Sequence, residues 1–151
     1  MRLFANLVVA LGVLLVISLA GAAEPVAALR SVRVVADVAA NRNTATVLDL
    51  VFVYDTAAVA VLPQNSLDWF AQRDALRSGL GAQIEVVSLQ VLPATLIEHV
   101  PLPKHARRAR VVLCFVNFID ADGLAAVNLV PYRHAEIRLL ESSVRYGQSS
   151  H

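Results

Sequence analysis

The stretch "TVLDLVFVY", residues 46–54, has the composition of a β-strand. It is rich in β-branched and aromatic residues, which are the types that fit a pleated, half-buried surface. Because side chains alternate along a strand, Leu48, Leu50, Phe52 and Tyr54 share one face. This apolar face predicts a strand that packs against a hydrophobic core.

The segments on either side of this strand follow related patterns. In "SVRVVADVA", residues 31–39, apolar and polar positions alternate, which predicts a half-buried strand. Its apolar face holds Val32, Val34, Ala36 and Val38. "VVLCFVNFI", residues 111–119, is apolar on both faces, which predicts a central strand covered on both sides. Further strands are predicted at residues 83–92, 95–103, 124–130, 135–141 and 144–146.

One segment has helical rather than strand character. "SLDWFAQRDALRSGLG" begins at Ser66, which can cap a helix, and the helix is expected to stop at Gly79. "NRNT", residues 41–44, has turn chemistry, and "PA", residues 93–94, predicts a tight hairpin link. Seven or eight short strands with one short inserted helix indicate an all-β fold, an antiparallel β-sandwich.

The N-terminus has the layout of a signal peptide or a membrane anchor. Arg2 is its only early charge, residues 3–20 carry none, and small residues follow. A cleaved signal peptide, cut near Ala22 or Ala23, is the favoured interpretation, and an uncleaved anchor helix is the second. We therefore expect a signal or anchor at residues 1–23, a sandwich domain at 24–146 and a disordered tail at 147–151.

Composition excludes several classes of function. The formal net charge is +1, which argues against nucleic acid as a partner. Four histidines show no metal-ligand spacing, and no G-x-S-x-G motif presents a nucleophilic serine. The single cysteine, Cys114, lies in an apolar run and is expected in the core. We therefore predict no catalytic residue, no metal and no cofactor.

The pair Trp69-Phe70 is the most informative aromatic feature. Adjacent aromatics on a helix cannot both point straight into one core. One ring could cover the edge of the sandwich while the other faces a partner, or both could pack under the helix. The second arrangement is slightly favoured, because a short helix needs an apolar stripe to dock.

Taken in order, six motifs resemble one family, the outer-membrane lipoprotein of the type VI secretion membrane complex. They are "LVFVYD" (50–55), "LDWFAQRDAL" (67–76), "LQVLPA" (89–94), "VPLP" (100–103), "VVLCFVNFIDADG" (111–123) and "AEIRLLESSV" (135–144). The resemblance covers most of residues 31–146 and implies a transthyretin-like β-sandwich with a helical insertion. Two features depart from the family: Ala22 stands where its lipid-bearing cysteine would be, and "NRNTA" (41–45) replaces a "GRPSP"-like element. No lipidation site is therefore expected.

The resemblance also implies a function and a contact surface. In the family, the loop that joins the first two strands contacts the periplasmic part of an inner-membrane partner. We expect a non-enzymatic subunit, in the periplasm and associated with the outer membrane through the complex or its N-terminal segment. The expected partner-binding residues are Asn41, Arg42, Asn43, Trp69 and Phe70.

Two other functions stay open at this stage. A small periplasmic binding or inhibitor module would capture a soluble target instead of a secretion complex. A transthyretin-like hydrolase would need His99, His134 and Arg133 to converge in one cleft.

Overall fold

The computed structural model describes residues 28–119 and 123–150, which form two four-stranded sheets. The predicted β-sandwich with an inserted helix is confirmed, and the predicted signal or anchor at residues 1–23 lies outside the described residues. The strands are β1 Ser31–Ala36, β2 Thr46–Val53, β3 Ile84–Val91, β4 Leu96–Ile97, β5 Val111–Asn117, β6 Val127–Asn128, β7 His134–Leu139 and β8 Val144–Gln148.

The two sheets contain strands from distant parts of the chain. One sheet has the order β4-β1-β7-β8, and the other has the order β3-β2-β5-β6. Strands β1 and β7 pair in parallel, with Ser31 opposite His134 and Ala36 opposite Leu139. The other strand pairs are antiparallel. The expected antiparallel arrangement therefore holds except at the centre of one sheet.

The main hydrophobic core lies between the sheets, and a second core lies outside one of them. Leu48, Leu50 and Phe52 of β2 point into the main core together with Val32 and Val34 of β1. The opposite faces of β2 and β5 carry the second core, which the long helix covers. Two covered faces explain why both strands are apolar throughout, as buried strands are.

The long helix spans Ser66–Leu80 and lies over the outer face of β5 and β3. Its cap is Asn65, whose side chain accepts a hydrogen bond from the backbone N–H of Asp68 at 2.9 Å. The predicted cap, Ser66, is instead the first helical residue. Its hydroxyl accepts a hydrogen bond from the backbone N–H of Val116 at 3.0 Å, so it ties the helix to β5. Shorter helices lie at Thr56–Val59, Gly81–Gln83 and Ala106–Arg108.

Two local predictions need correction. The "PA" link does not form a hairpin, because β3 pairs with β2 while β4 pairs with β1 in the other sheet. The last strand also continues beyond residue 146. Gly147 pairs with Glu136 and Gln148 pairs with Ala135, so these two residues belong to the sandwich rather than to a disordered tail.

Candidate functional site

The loop between β1 and β2 contains an unusual left-handed turn. Asn41, Arg42 and Asn43 have φ angles of 49°, 51° and 60°. Asparagine tolerates this region because its short side chain forms local hydrogen bonds, whereas a left-handed arginine carries a steric cost. Three such residues in a row need support from the surrounding structure.

Backbone hydrogen bonds supply that support from the loop between β7 and β8. The backbone N–H of Asn41 donates to the carbonyl of Leu140 at 3.0 Å, and that of Arg42 donates to Glu141 at 3.1 Å. The turn is therefore docked on a neighbouring loop, and its tip is presented from a fixed base.

Asn41 fixes the turn from the inside. Its side chain is 3% exposed, accepts a hydrogen bond from the backbone N–H of Ile119 at 2.9 Å and donates to the carbonyl of Ala45 at 3.3 Å. Asn41 thus joins this loop to the end of β5 and is not available to a partner. Arg42 and Asn43 are exposed at the tip.

Three exposed apolar side chains lie at the same end of the sandwich as this tip. Val38 is 76% exposed, Leu92 58% and Ile119 61%. The backbone N–H of Ile119 donates to the side chain of Asn41, and the backbone N–H of Ala94 donates to the carbonyl of Asp37. The loops that follow β5 and β3 therefore lie at the same end of the sandwich as the turn. Val38 was expected to continue the buried face of β1, but that strand ends at Ala36. Exposed apolar side chains grouped at one end of a domain are typical of protein interaction sites.

Trp69 is part of the helix-to-sheet contact. Its side chain is fully buried, and its ring stacks on Phe115 with centroids 4.8 Å apart. Its indole N–H donates to Oδ2 of Asp49, a fully buried carboxylate of β2, at 2.9 Å. Arg73 approaches the same oxygen at 3.4 Å. Because the ring is enclosed by these contacts, Trp69 stabilises the fold and does not face a partner.

Phe70 has a different environment from Trp69. It is half-buried, and the guanidinium of Arg73 lies 5.6 Å from the centre of its ring. Phe70 also packs against the second core, which contains Trp69, so both rings lie under the helix, which is the arrangement favoured from the sequence. Of the five predicted contact residues, Arg42, Asn43 and Phe70 keep surface area, and binding by them stays a prediction.

The structure does not bring His99, His134 and Arg133 into one cleft. Ser31 and His134 are neighbours across β1 and β7, with Oγ and Nδ1 2.8 Å apart. His99 and Ser31 line a hollow of about 60 Å³, and Arg133 lines a different one of about 220 Å³. Typical ligand pockets measure about 300–1,000 Å³. These side chains therefore do not converge in one cleft of substrate size.

Cys114 lies in the main core, as predicted. Burial raises the pKa of Cys114 to about 12, an effect that its hydrogen bond with Tyr146 partly opposes and the charge of Asp49 reinforces. A protonated, enclosed thiol is a poor nucleophile. Within residues 28–119 and 123–150, no three metal-ligating side chains come together, and no helix has the length and hydropathy to cross a membrane.

Comparisons with known proteins identify the fold. No protein-family model and no curated protein sequence matches this chain. Among solved structures, the type VI secretion lipoprotein TssJ1 from Pseudomonas aeruginosa is similar, with 16% identity and a TM-score of 0.55 over 80% of this chain and 95% of that one. Serratia marcescens Lip, a membrane-bound component of the type VI secretion system, matches at 14% identity and a TM-score of 0.55, over 80% of this chain and 96% of its own. A structure of a type VI membrane complex matches at 14% identity and a TM-score of 0.55, over 76% and 94% of the two chains. At this level of identity the likeness establishes a shared fold.

Proposed function

We propose that this protein is a non-enzymatic envelope subunit of a type VI secretion-like membrane complex. The single observation that carries the proposal is the left-handed turn at Asn41–Asn43, held rigidly at one end of a sandwich that shares its fold with type VI secretion lipoproteins. A preorganised loop loses little conformational entropy when it binds, so it is suited to docking.

The contact surface that we propose is the docking end, defined as Arg42, Asn43 and the apolar side chains Val38, Leu92 and Ile119. Arg42 supplies charge and several donors, and arginine is frequent among the residues that dominate binding energy. The three apolar side chains would exclude water around that contact. A complementary partner would offer acidic or carbonyl acceptors beside an apolar surface.

The partner that we propose is the periplasmic region of an inner-membrane protein of the secretion complex. Export through the N-terminal apolar segment would place the sandwich in the periplasm. Association with the outer membrane would then follow from the complex or from the N-terminal segment, since Ala22 offers no thiol for lipidation.

Capture by the periplasmic region of that inner-membrane protein tests the proposal. Arg42→Gly should lower affinity about 10- to 100-fold, which corresponds to the loss of a charged hydrogen bond of about 1.5–3 kcal/mol. The same change should leave the melting temperature unchanged or higher, because glycine adopts a φ of 51° without steric cost. Arg77→Ala is the matched control, since Arg77 is also exposed but lies at the far end of the long helix.

Three outcomes have different meanings. Loss of capture in Arg42→Gly with normal capture in Arg77→Ala supports the docking end. Normal capture in both Arg42→Gly and Val38→Asp would place the contact elsewhere on the sandwich. A wild-type protein that does not bind this partner would contradict the secretion-complex assignment and favour a module for a soluble target.

A further inference from the structure

The end of the sandwich opposite the docking end is strongly basic. Strand β1 runs from Ser31 to Ala36, so Arg30 precedes it at one end and the docking end follows it at the other. The two ends are separated by the length of the strand, about 20 Å. The basic end is defined by five exposed residues: Arg30, Lys104, Arg107, Arg108 and Arg133.

Three of these arginines line one hollow. Arg30, Arg107 and Arg133 surround a volume of about 220 Å³ whose remaining wall is formed by Ala28 and Leu29. The backbone N–H of Arg30 donates to the carbonyl of Arg133 at 2.8 Å, which fixes the two segments side by side. Among the described residues, none of the three arginines takes part in an ion pair.

The loop that carries Arg107 is held by its small residues. Ala106 and Ala109 are buried, whereas Arg107 and Arg108 between them are exposed. The backbone N–H of Ala106 also donates to the carbonyl of Pro103 at 3.0 Å. The loop therefore presents Arg107 and Arg108 to solvent from a fixed base.

Within residues 28–119 and 123–150, no acidic side chain forms an ion pair with these five cations. Glu85 accepts a hydrogen bond from the hydroxyl of Tyr54 at 2.7 Å. Asp55 accepts one from the backbone N–H of Ala57 at 2.9 Å, where it caps the short helix. An exposed arginine without an ion pair is well suited to phosphate oxygens, because the donors of its planar guanidinium form a fork that matches them.

The course of the chain indicates where such phosphates would come from. Ala28 lies in the wall of the hollow, and residues 3–20 form the uncharged apolar run of the sequence. The seven residues between that run and Ala28 can span at most about 25 Å. In the anchor alternative, the basic end is therefore the end to which the membrane-directed segment would be joined. In the cleaved form, only the charge of the basic end would direct the sandwich to the lipid.

We propose that the basic end binds the phosphates of anionic lipid headgroups, with Arg30, Arg107 and Arg133 as the central contact. This orients the sandwich with its docking end away from the lipid surface and toward the periplasmic partner. The inference rests on the envelope location in the proposed function, but it concerns a separate surface.

Vesicle flotation tests this inference on the protein as cells produce it, with its N-terminus established by intact mass. Partition into phosphatidylcholine vesicles is compared with partition into vesicles that also contain phosphatidylglycerol. The wild-type protein should prefer the anionic vesicles, and the preference should disappear at about 1 M salt, where the Debye length is about 3 Å. The double variant Arg107→Gln/Arg133→Gln should lower the preference about 25-fold, since each arginine near an anionic surface contributes about fivefold.

The matched control is Arg42→Gln/Arg145→Gln, which removes two exposed arginines from elsewhere on the sandwich and changes the net charge equally. An unchanged preference in this control supports a local site. Equal losses in both double variants, or no preference in the wild-type protein, would overturn it. Full competition by inorganic phosphate would also overturn it, because the hollow would then be a site for free phosphate. Capture of the protein partner by Arg107→Gln/Arg133→Gln should stay normal, so this inference and the proposed function can fail separately.

Discussion

Replacing Trp69 by phenylalanine separates the two ways in which the long helix is attached to the sheet. The change keeps an aromatic ring that can stack on Phe115, at a centroid distance of 4.8 Å in the wild type. It removes the indole N–H that donates to Oδ2 of Asp49 at 2.9 Å. Asp49 is fully buried, and among the described residues its other oxygen, Oδ1, accepts no hydrogen bond. The carboxylate would be left with Arg73, 3.4 Å away, as its remaining partner.

The expected loss follows from these contacts. A hydrogen bond to a charged group contributes about 1.5–3 kcal/mol, and burial of the acceptor places Trp69→Phe within that range. For a domain of this size, a loss of about 2 kcal/mol lowers the melting temperature by about 6–12 °C. Trp69→Ala should cost about 3–5 kcal/mol, because it also removes the ring from the second core.

Urea unfolding followed by far-ultraviolet circular dichroism measures these losses without the tryptophan signal. Leu67→Ala is the matched control on the same helix, since Leu67 is exposed, and its cost should stay below about 0.5 kcal/mol. A double-mutant cycle with Asp49→Asn isolates the coupling between the two side chains. If Trp69→Phe unfolds within about 0.5 kcal/mol of the wild type, the buried hydrogen bond contributes nothing measurable and packing alone holds the helix.

Four further predictions concern the turn, the core thiol and the N-terminus. Asn41→Ala removes the acceptor for the backbone N–H of Ile119 and should destabilise the domain by about 1–3 kcal/mol. An unchanged midpoint of urea unfolding would contradict the role of this side chain. Cys114 should react with a thiol reagent only after denaturation, and fast labelling of the native protein would refute its burial. Burial raises the pKa of Cys114 from 9.0 to about 12, so between these pH values the native state keeps a proton that the unfolded state loses. The contribution of the protonated thiol to stability is therefore complete below about pH 9 and falls as the pH rises toward 12. Urea midpoints at about pH 8 and 10 should therefore fall further in the wild type than in Cys114→Ala. Intact mass of the exported protein should give an N-terminus between Ala22 and Glu24, whereas a mass that includes residues 1–20 would establish the anchor alternative.

The sequence predicts those parts of the fold that depend on local alternation. Val32 and Val34 are buried as their spacing indicates, and β5 lies at the centre of its sheet, as its apolar run predicts. What it does not predict is which strands become neighbours. The parallel pairing of β1 with β7 joins residues about one hundred positions apart. Strand β4 follows β3 in the chain, but it pairs with β1 and so belongs to the other sheet.

The site shows the same division between local and distant effects. A turn at residues 41–44 follows from its asparagines, but the burial of Asn41 depends on Ile119, which lies far along the chain. Asp49 is itself a signal in the sequence. A carboxylate in the middle of a strand that is apolar on both faces requires a buried partner. The indole N–H of Trp69, on the inserted helix, is such a donor, so Asp49 indicates that Trp69 is part of the core.

The two ends of the sandwich differ in the chemistry that each can recognise. The docking end offers one arginine on a left-handed turn together with exposed apolar side chains, which suits a protein surface of defined shape. The basic end offers several exposed arginines around a shallow hollow, which suits a surface defined by charge rather than by shape. Because β1 and β2 connect these ends directly through the rigid core, the sandwich acts as a spacer of about 20 Å between them. A spacer with one protein-binding end and one phosphate-binding end would set the distance between a membrane surface and a periplasmic partner.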